Sequence, residues 1–576
     1  MSLELGVYIK TITTKDGNLM RIYEYLRFVD SYKLFNGSLE KLVESLPSNA
    51  FEILEKMFPS LTTRQLNLLQ QKGFYPYSYM TDRSKFAETQ LPPLSAWKNS
   101  LAGGRVDIGA KELDHAQNVW DMLNCSTMQD YHDKYLKLDV ALLACCGEYC
   151  RKISYETYRL DVIQFVSAPN MAKDAALKVT GAKIELLTNP QHLHMIERAI
   201  RGGLASVYHK RSFQANNKYL DNFDPDQPST FGLLVDANNL YGGVMQTEPL
   251  PCRNYSFNEE ISLEEVLATP QDSKIGYFLE VDLLYPQSIH NAHSDFPCAP
   301  EKQTVPDSWL SEYQLEIKNR FNISSCKVNK LLQTLYNKWN YVVHYKVLQL
   351  YVKLGLKITK VHRILQFEQE KWLEPYIRLN SQRRKVATNK FQENYYKLMN
   401  NSVYGKTIES KRNWMNVKIV RDAESTIREA STFQFDRFKI FGENMAALCS
   451  RPKVIKWNTP TIVGATVLEL AKLHMYQFHY EVIRANFSAR LLYSDTDSLL
   501  YSIETEDLYT DLKLKTNVAT AFDFSNYPTD HELHNSNHKK EILKFKDEFG
   551  GDIMKSFICV GPKMYSITSK GKHSWI

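Results

Sequence analysis

A mixed α/β architecture is what the sequence predicts, on three observations. Short apolar runs bounded by turn formers read as buried strands: residues 231–235, and the pair 491–493 and 499–501. Residues 129–148 and 397–405 read as helices, the first with Tyr135 and Asp139 four positions apart on one face. A length of 576 residues leaves room for several domains with large cores.

Composition narrows the class. Hydrophobic residues at 43%, aromatics at 12% and charged residues at 24% describe a soluble globular chain, not a disordered one. Nine cysteines without paired spacing argue against a disulfide framework. Cys145, Cys146 and Cys150 lack a C-x-x-C pattern and read as buried thiols on a helix. The chain shows no signal-peptide pattern and no apolar run of ~18 residues, so no membrane span and a reducing, intracellular setting are expected. The net charge of +6 is modest, but residues 371–418 hold eleven Lys or Arg against three Glu. So concentrated a field attracts phosphates.

The most informative stretch is 491–503, LLYSDTDSLLYSI, which reads as a hairpin with Asp495 and Asp497 at its tip. Carboxylates that close repel, and each raises the pKa of the other unless a cation joins them. Mg²⁺ takes oxygen ligands, often one or two carboxylates beside substrate phosphates. An isolated Asp-Thr-Asp reads as well as a solvated turn; a third carboxylate shifts the balance. Residues 231–239, FGLLVDANN, form a strand that delivers Asp236 at its end. On adjacent strands, Asp236 and the tip pair would let two Mg²⁺ ions stabilise the attacking and leaving oxygens of a phosphoryl displacement. Between these segments lies KLMNNSVYG, in which Lys397, Asn401 and Tyr404 or Gly405 share a helix face. A lysine for phosphates and a tyrosine for stacking suit a nucleoside triphosphate.

In that order, DxxxLY, KxxxNSxYG and YSDTDS resemble motifs A, B and C of family B DNA polymerases. The wording DANNLYG, KLMNNSVYGKT and YSDTDSLLY is similar to the protein-primed branch found in viruses and Polinton/Maverick-type mobile elements. The resemblance implies a right-hand fold of palm, fingers and thumb. It implies template-directed addition of deoxynucleoside triphosphates to a primer 3′ hydroxyl on primer–template DNA. Two Mg²⁺ ions, with Mn²⁺ able to substitute, would serve the reaction. Asp236 and Asp497 would hold metal and Asp495 would support them electrostatically. Lys385, Lys397, Asn401 and Tyr404 would bind nucleotide, and Tyr241 would sit beneath the incoming sugar and exclude a 2′ hydroxyl. Asn239 stands where many members have Ser, and Gly242 where most have Pro, which leaves the geometry of that gate open.

Contacts to DNA follow from the same resemblance. Arg201-Gly202-Gly203 would contact template, although a flexible hinge explains paired glycines equally well. Gly405 ends the motif B stripe beside the DNA. Lys563 and Tyr565, in GPKMYSI, resemble the K-x-Y segment that holds a primer terminus. Ser38 and Leu39 resemble the Ser-Leu pair that touches single-stranded DNA in the proofreading exonuclease domain, with Ser38 also well placed as a helix N-cap. Tyr135 and Asp139 resemble the third exonuclease motif, Y-x-x-x-D. No Asp-x-Glu precedes Arg27, so the expectation is an exonuclease remnant that does not proofread.

The expected layout is an exonuclease-like unit over 1–195 and a polymerase unit over 196–576. Within the latter, palm covers 204–250 and 461–545, an insertion 251–367, basic fingers 368–406 with two helices around Asn380, a second insertion 407–460, and a partial thumb 546–576. A charged strand is expected over 539–548, and the chain reads as cut at both ends. The first insertion resembles the one that contacts a terminal priming protein. The competing reading is a decayed or domesticated mobile-element remnant that binds DNA without chemistry. A reverse transcriptase fits less well, because the hairpin lacks Tyr-x-Asp-Asp.

Overall fold

The computed structural model describes residues 2–14, 16, 18–99, 106–208, 211–571 and 573–575. The chain divides into two compact units: Met1–Gly181 with Arg378–Val403, and Ala182–Ile377 with Tyr404–Ile576. The border therefore falls after Gly181 rather than near residue 195. Part of the basic segment also groups with the first unit instead of the second.

The first unit is organised on one long helix, Met128–Tyr158. Thr127 caps it by accepting from the backbone of Asp130, and a buried stripe of Tyr131, Tyr135, Leu138, Leu142, Cys145 and Cys146 runs along it. Cys150 is buried too, and desolvation pushes the Cys146 and Cys150 thiols up to about 12, which leaves them inert. The basic segment docks on this helix through hydroxyls and amides. Tyr158 donates to Asn380, Asn389 donates to Tyr149, and the Tyr395 and Tyr396 hydroxyls meet Ser154 and Thr157. Asn380 is buried inside the helix Glu374–Lys385 and donates to Asn400. It cannot break the segment. The break lies between that helix and the next, Lys390–Thr407. Upstream, the strand Leu19–Val29 leads to the short helix Leu39–Ser45, whose N-cap Ser38 accepts from Lys41 N, as its spacing predicts.

The second unit is built on a five-stranded antiparallel sheet. Its order is Phe545–Asp547, Thr230–Ala237, Ser498–Glu504, Ser488–Asp495 and Ala205–Val207. Alternation puts Leu234, Leu492 and Leu500 against Met554, Phe557 and Ile567 of the hairpin Met554–Gly561/Met564–Ser569. Complete burial of a side chain such as Leu500 contributes roughly 1.5–3 kcal/mol. This packing fixes where the turn bearing Lys563 stands relative to the sheet. Of the charged strand expected over 539–548, only Phe545–Asp547 pairs; the residues before it are mostly turns. The first insertion contains a four-stranded sheet that includes Ile275–Leu284 and Lys357–Glu370, and the second a three-stranded one. Among the described residues, no helix is long and apolar enough to cross a membrane.

Candidate active site

Strand register brings the acidic motifs together. Lys546 pairs with Asp236, Asp236 with Ser498, Ser498 with Asp495, and Asp495 with Ala205. Directly paired residues point to the same face of a sheet, so one row across five strands carries Lys546, Asp236 and Asp495. Asp497 sits at the hairpin tip beside this row. Its carbonyl accepts from Ala237 N at 2.8 Å, and its own N–H donates to Asp495 O at 2.7 Å. Thr496, between the two acids, takes a left-handed φ of 61°, which turns the chain tightly enough to present both.

The electrostatics divide the carboxylates by role. Burial, and then the charges of Asp495 and Glu548, push the Asp497 carboxyl above its usual range, against the lowering effect of its backbone hydrogen bond and of Lys563. Asp495 is instead held by Lys563, whose Nζ lies 2.8 Å from Oδ2. The Lys563 backbone N–H donates to the Tyr493 hydroxyl at 2.9 Å, and Tyr565 packs against the Tyr493 ring at 5.0 Å. The K-x-Y turn is thus seated on motif C itself. Among the described residues, no group of three or more His, Cys, Asp and Glu stands assembled for a metal. The donor set nonetheless fits a hard cation: Asp236 and Asp497 offer only carboxylate oxygens, and an excess of negative charge surrounds Asp497.

Tyr241 of motif A and Tyr404 of motif B stack with ring centroids 4.5 Å apart and planes 23° from parallel. Burial, then the Asp497 charge, raises the Tyr241 hydroxyl to about 12, so it stays neutral beside the acids. The two departures in motif A prove to be one feature. Asn239 adopts φ 49°, and its side chain occupies the space a residue-242 Cβ would need: that Cβ would lie 2.6 Å from Asn239 Cγ. Gly405 is exposed on the helix after Tyr404, with open space where a Cβ would stand.

The segment before the sheet requires a correction. Arg201 is buried; it donates to Val342 O at 2.8 Å, faces Glu469 at 3.4 Å, and stacks 3.8 Å from the Tyr341 ring centre. Its guanidinium is committed inside the protein and is not available to a template phosphate. Lys472 Nζ donates to Arg201 O, and Leu204 O accepts from Thr496 N at 2.7 Å. The segment is a fixed strap and not a hinge. Gly203 is where the strap meets motif C, since a Cβ there would stand 2.6 Å from Thr496 Cγ2. Gly202 is exposed, with nothing near its missing Cβ.

The remaining expected residues lie in the first unit. Lys397 and Asn401 line a cavity of about 360 Å³ there, and Lys385 ends its helix exposed, outside that lining. Ser38 Oγ is engaged in the helix cap, with Leu39 half-buried behind it. Tyr135 is buried, its hydroxyl accepting from Lys72 Nζ and meeting the Tyr77 hydroxyl, each at 2.7 Å. Lys72 also pairs with Asp139 at 3.1 Å. Three partners escaped the sequence reading: Lys72, and the pair Lys546–Glu548, 2.6 Å apart beside Asp236 and Asp497. The alternation Lys544, Lys546, Glu548 was the available signal for the pair, since it puts all three on one strand face.

Residues 2–440 match the family described as DNA polymerase type B, organellar and viral. The chain belongs to this family. No curated protein matches the sequence. Among solved structures, the fold is similar to Phi29 DNA polymerase in its orthorhombic crystal form, with a TM-score of 0.52 and 13% identity over 99% of this chain and 72% of that one. Phi29 DNA polymerase complexed with primer–template DNA and incoming nucleotides matches with a TM-score of 0.50 at 14% identity, over the same shares of the two chains. The mixed α/β, palm–fingers–thumb fold expected of a family B polymerase is therefore the observed one.

Proposed function

We propose that this type B polymerase is a template-directed DNA polymerase of the protein-primed kind, extending a primer 3′ hydroxyl from deoxynucleoside triphosphates. The observation that carries this reading is the cross-strand row of Asp236 and Asp495 with Asp497 at the tip beside it. Asp236 and Asp497 hold the divalent metal, which when bound neutralises charge on the reacting phosphate oxygens. Asp495 takes no metal; it positions Lys563, which exchanges this carboxylate for the primer backbone when DNA arrives. Tyr404 braces Tyr241 from one side, so that Tyr241 presents a rigid neutral face to the sugar. Gly202, Gly405 and Tyr565 line the DNA track, as does Ser38 with Leu39 for a frayed strand. The first insertion supports a priming-protein contact by its length and by exposed aromatics such as Trp309, Tyr313, Phe321 and Trp339. Elongation of a labelled primer, coded by the template and dependent on Mg²⁺, is the test; a purified protein that elongates no primer overturns the reading.

Lys397, at an exposed position on motif B, serves the triphosphate. Lys397→Ala is expected to raise KM for deoxynucleotide, lower kcat, or both in steady-state extension. Unchanged nucleotide kinetics with weakened duplex binding would move Lys397 to the DNA track.

Metal binding should follow pH through Asp497. A carboxyl raised on folding binds its proton more tightly in the native protein, so its stabilising contribution is complete in acid and is lost as pH rises through the folded value. Mg²⁺ needs the deprotonated form, so the Mg²⁺ concentration for half-maximal extension should fall as pH rises through that value. Titrations of Mg²⁺ at stepped pH measure this, and a flat dependence would remove Asp497 from the metal.

Proofreading is proposed to be absent. An exonuclease of this type needs several carboxylates around two metals, whereas Asp139 is already paired with Lys72. A labelled single-stranded oligonucleotide with Mg²⁺ and no deoxynucleotides should stay intact, in the native protein and in Asp139→Ala alike. Stepwise shortening that vanishes in Asp139→Ala would show a complete site.

A further inference from the structure

The cavity in the first unit has the makings of a nucleotide site to which the helix Leu39–Ser45 contributes. One wall is the exposed stripe Asn394, Lys397 and Asn401 of the helix Lys390–Thr407; the opposite wall carries Lys41, with Ser45 one turn further on. Residues 394, 397 and 401 are spaced three and four apart, as are 41 and 45, so each wall is a single helix face. Phe35 and Phe391 add apolar surface, and no carboxylate lines the cavity. Among the described residues, neither Lys41 nor Lys397 has a recorded ion-pair partner. Two unpaired ammonium groups around one concavity leave like charges uncompensated, a state an anion relieves. The volume of about 360 Å³ is that of a small-ligand pocket and not of a groove that tracks a strand.

We infer that Lys41 and Lys397 together hold the phosphates of a deoxynucleoside triphosphate in this cavity, with the base against Phe35 and Phe391. The inference rests on the polymerase reading for the choice of nucleotide and deepens it: the unit that resembles an exonuclease takes part in substrate capture. Lys41 is a positioning residue, remote in sequence from every motif, and its loss should weaken binding uniformly without altering chemistry.

The experiment is a fluorescence titration of the full-length protein with a ribose-labelled dATP, without DNA and without Mg²⁺, followed by displacement with unlabelled dATP. Lys41→Ala is expected to weaken binding about tenfold, the effect of losing one charge-assisted contact, with Lys41→Arg restoring most of it. In extension assays Lys41→Ala should raise KM for deoxynucleotide by a similar factor at unchanged kcat. Lys41 is exposed, so the variant should fold, and circular dichroism checks that. Native-like dATP affinity in Lys41→Ala overturns the inference, as does displacement of the probe by a short single-stranded oligonucleotide but not by dATP. Lysine-dependent dATP binding in a protein that extends no primer would instead leave this site standing and remove the polymerase reading.

Discussion

Asp236→Ala or Asp497→Ala is expected to abolish Mg²⁺-dependent primer extension, by at least on the order of a thousandfold, while binding to primer–template DNA persists. Phosphoryl transfer is catalysed mainly by positioning and by neutralising charge, so losing either metal-holding carboxylate removes most of the rate. Binding rests on contacts between cations and phosphates, which neither change touches. Removing an acid should if anything tighten binding slightly, by lessening repulsion of the backbone. Gel-shift titration and single-turnover extension on the same preparations separate the two quantities. Substantial extension in either variant would sink the metal assignment; loss of both binding and extension would point to misfolding of the hairpin. Asp495→Ala should differ in kind, since its partner is Lys563 at 2.8 Å and its loss frees that lysine.

The next largest effect is expected away from the acids. Gly203→Ala would place a methyl 2.6 Å from Thr496 Cγ2 and 2.8 Å from Thr496 Cβ, too close for either to stay. The strap cannot yield easily, because Arg201 and Leu204 are buried on either side and Lys472 holds Arg201 O. The hairpin tip must move, and Asp495 and Asp497 move with it. A displacement of about 1 Å in a catalytic group can cost roughly a hundredfold in rate, so a loss of about tenfold to a hundredfold in kcat is expected, with KM little changed. The cause can be isolated. Thr496 has φ 61°, which glycine adopts freely, so Thr496→Gly in the Gly203→Ala background removes the colliding atoms and should restore activity. Failure of that second change to rescue would show that Gly203 acts by another route, such as close approach to the template.

Much of this site could be read from the chain because its elements are local. The strands flanking motif C and the strand before Asp236 are short apolar runs with turn formers at their ends, and they appear in the structure as Ser488–Asp495, Ser498–Glu504 and Thr230–Ala237. What could not be read is pairing between segments distant in sequence. Arg201 beside two glycines has the look of a phosphate contact; only the fold brings Glu469 and Tyr341 to it and buries it. Lys546 reaches Asp236 through register, which no single strand encodes. The polar residues Asn380 and Asn389 resemble a solvated face until the long helix supplies their partners, Tyr158 and Tyr149. The basic segment was legible as basic, but not as part of the first unit.

The contact between Asn239 and position 242 also constrains how this sequence could have arisen. A chain with any Cβ at 242 has no room for the Asn239 side chain in its present position, whereas a chain with glycine at 242 accepts either a short or a longer residue at 239. Starting from the Ser and Pro that the family resemblance implies for these positions, the order of change is therefore set: glycine first, asparagine second. The reverse order passes through an intermediate in which motif A is crowded immediately before Tyr241. Once asparagine is in place, return to proline is closed unless residue 239 reverts beforehand. The pair is inherited as a unit, and a lineage that carries one of the two substitutions alone should carry the glycine.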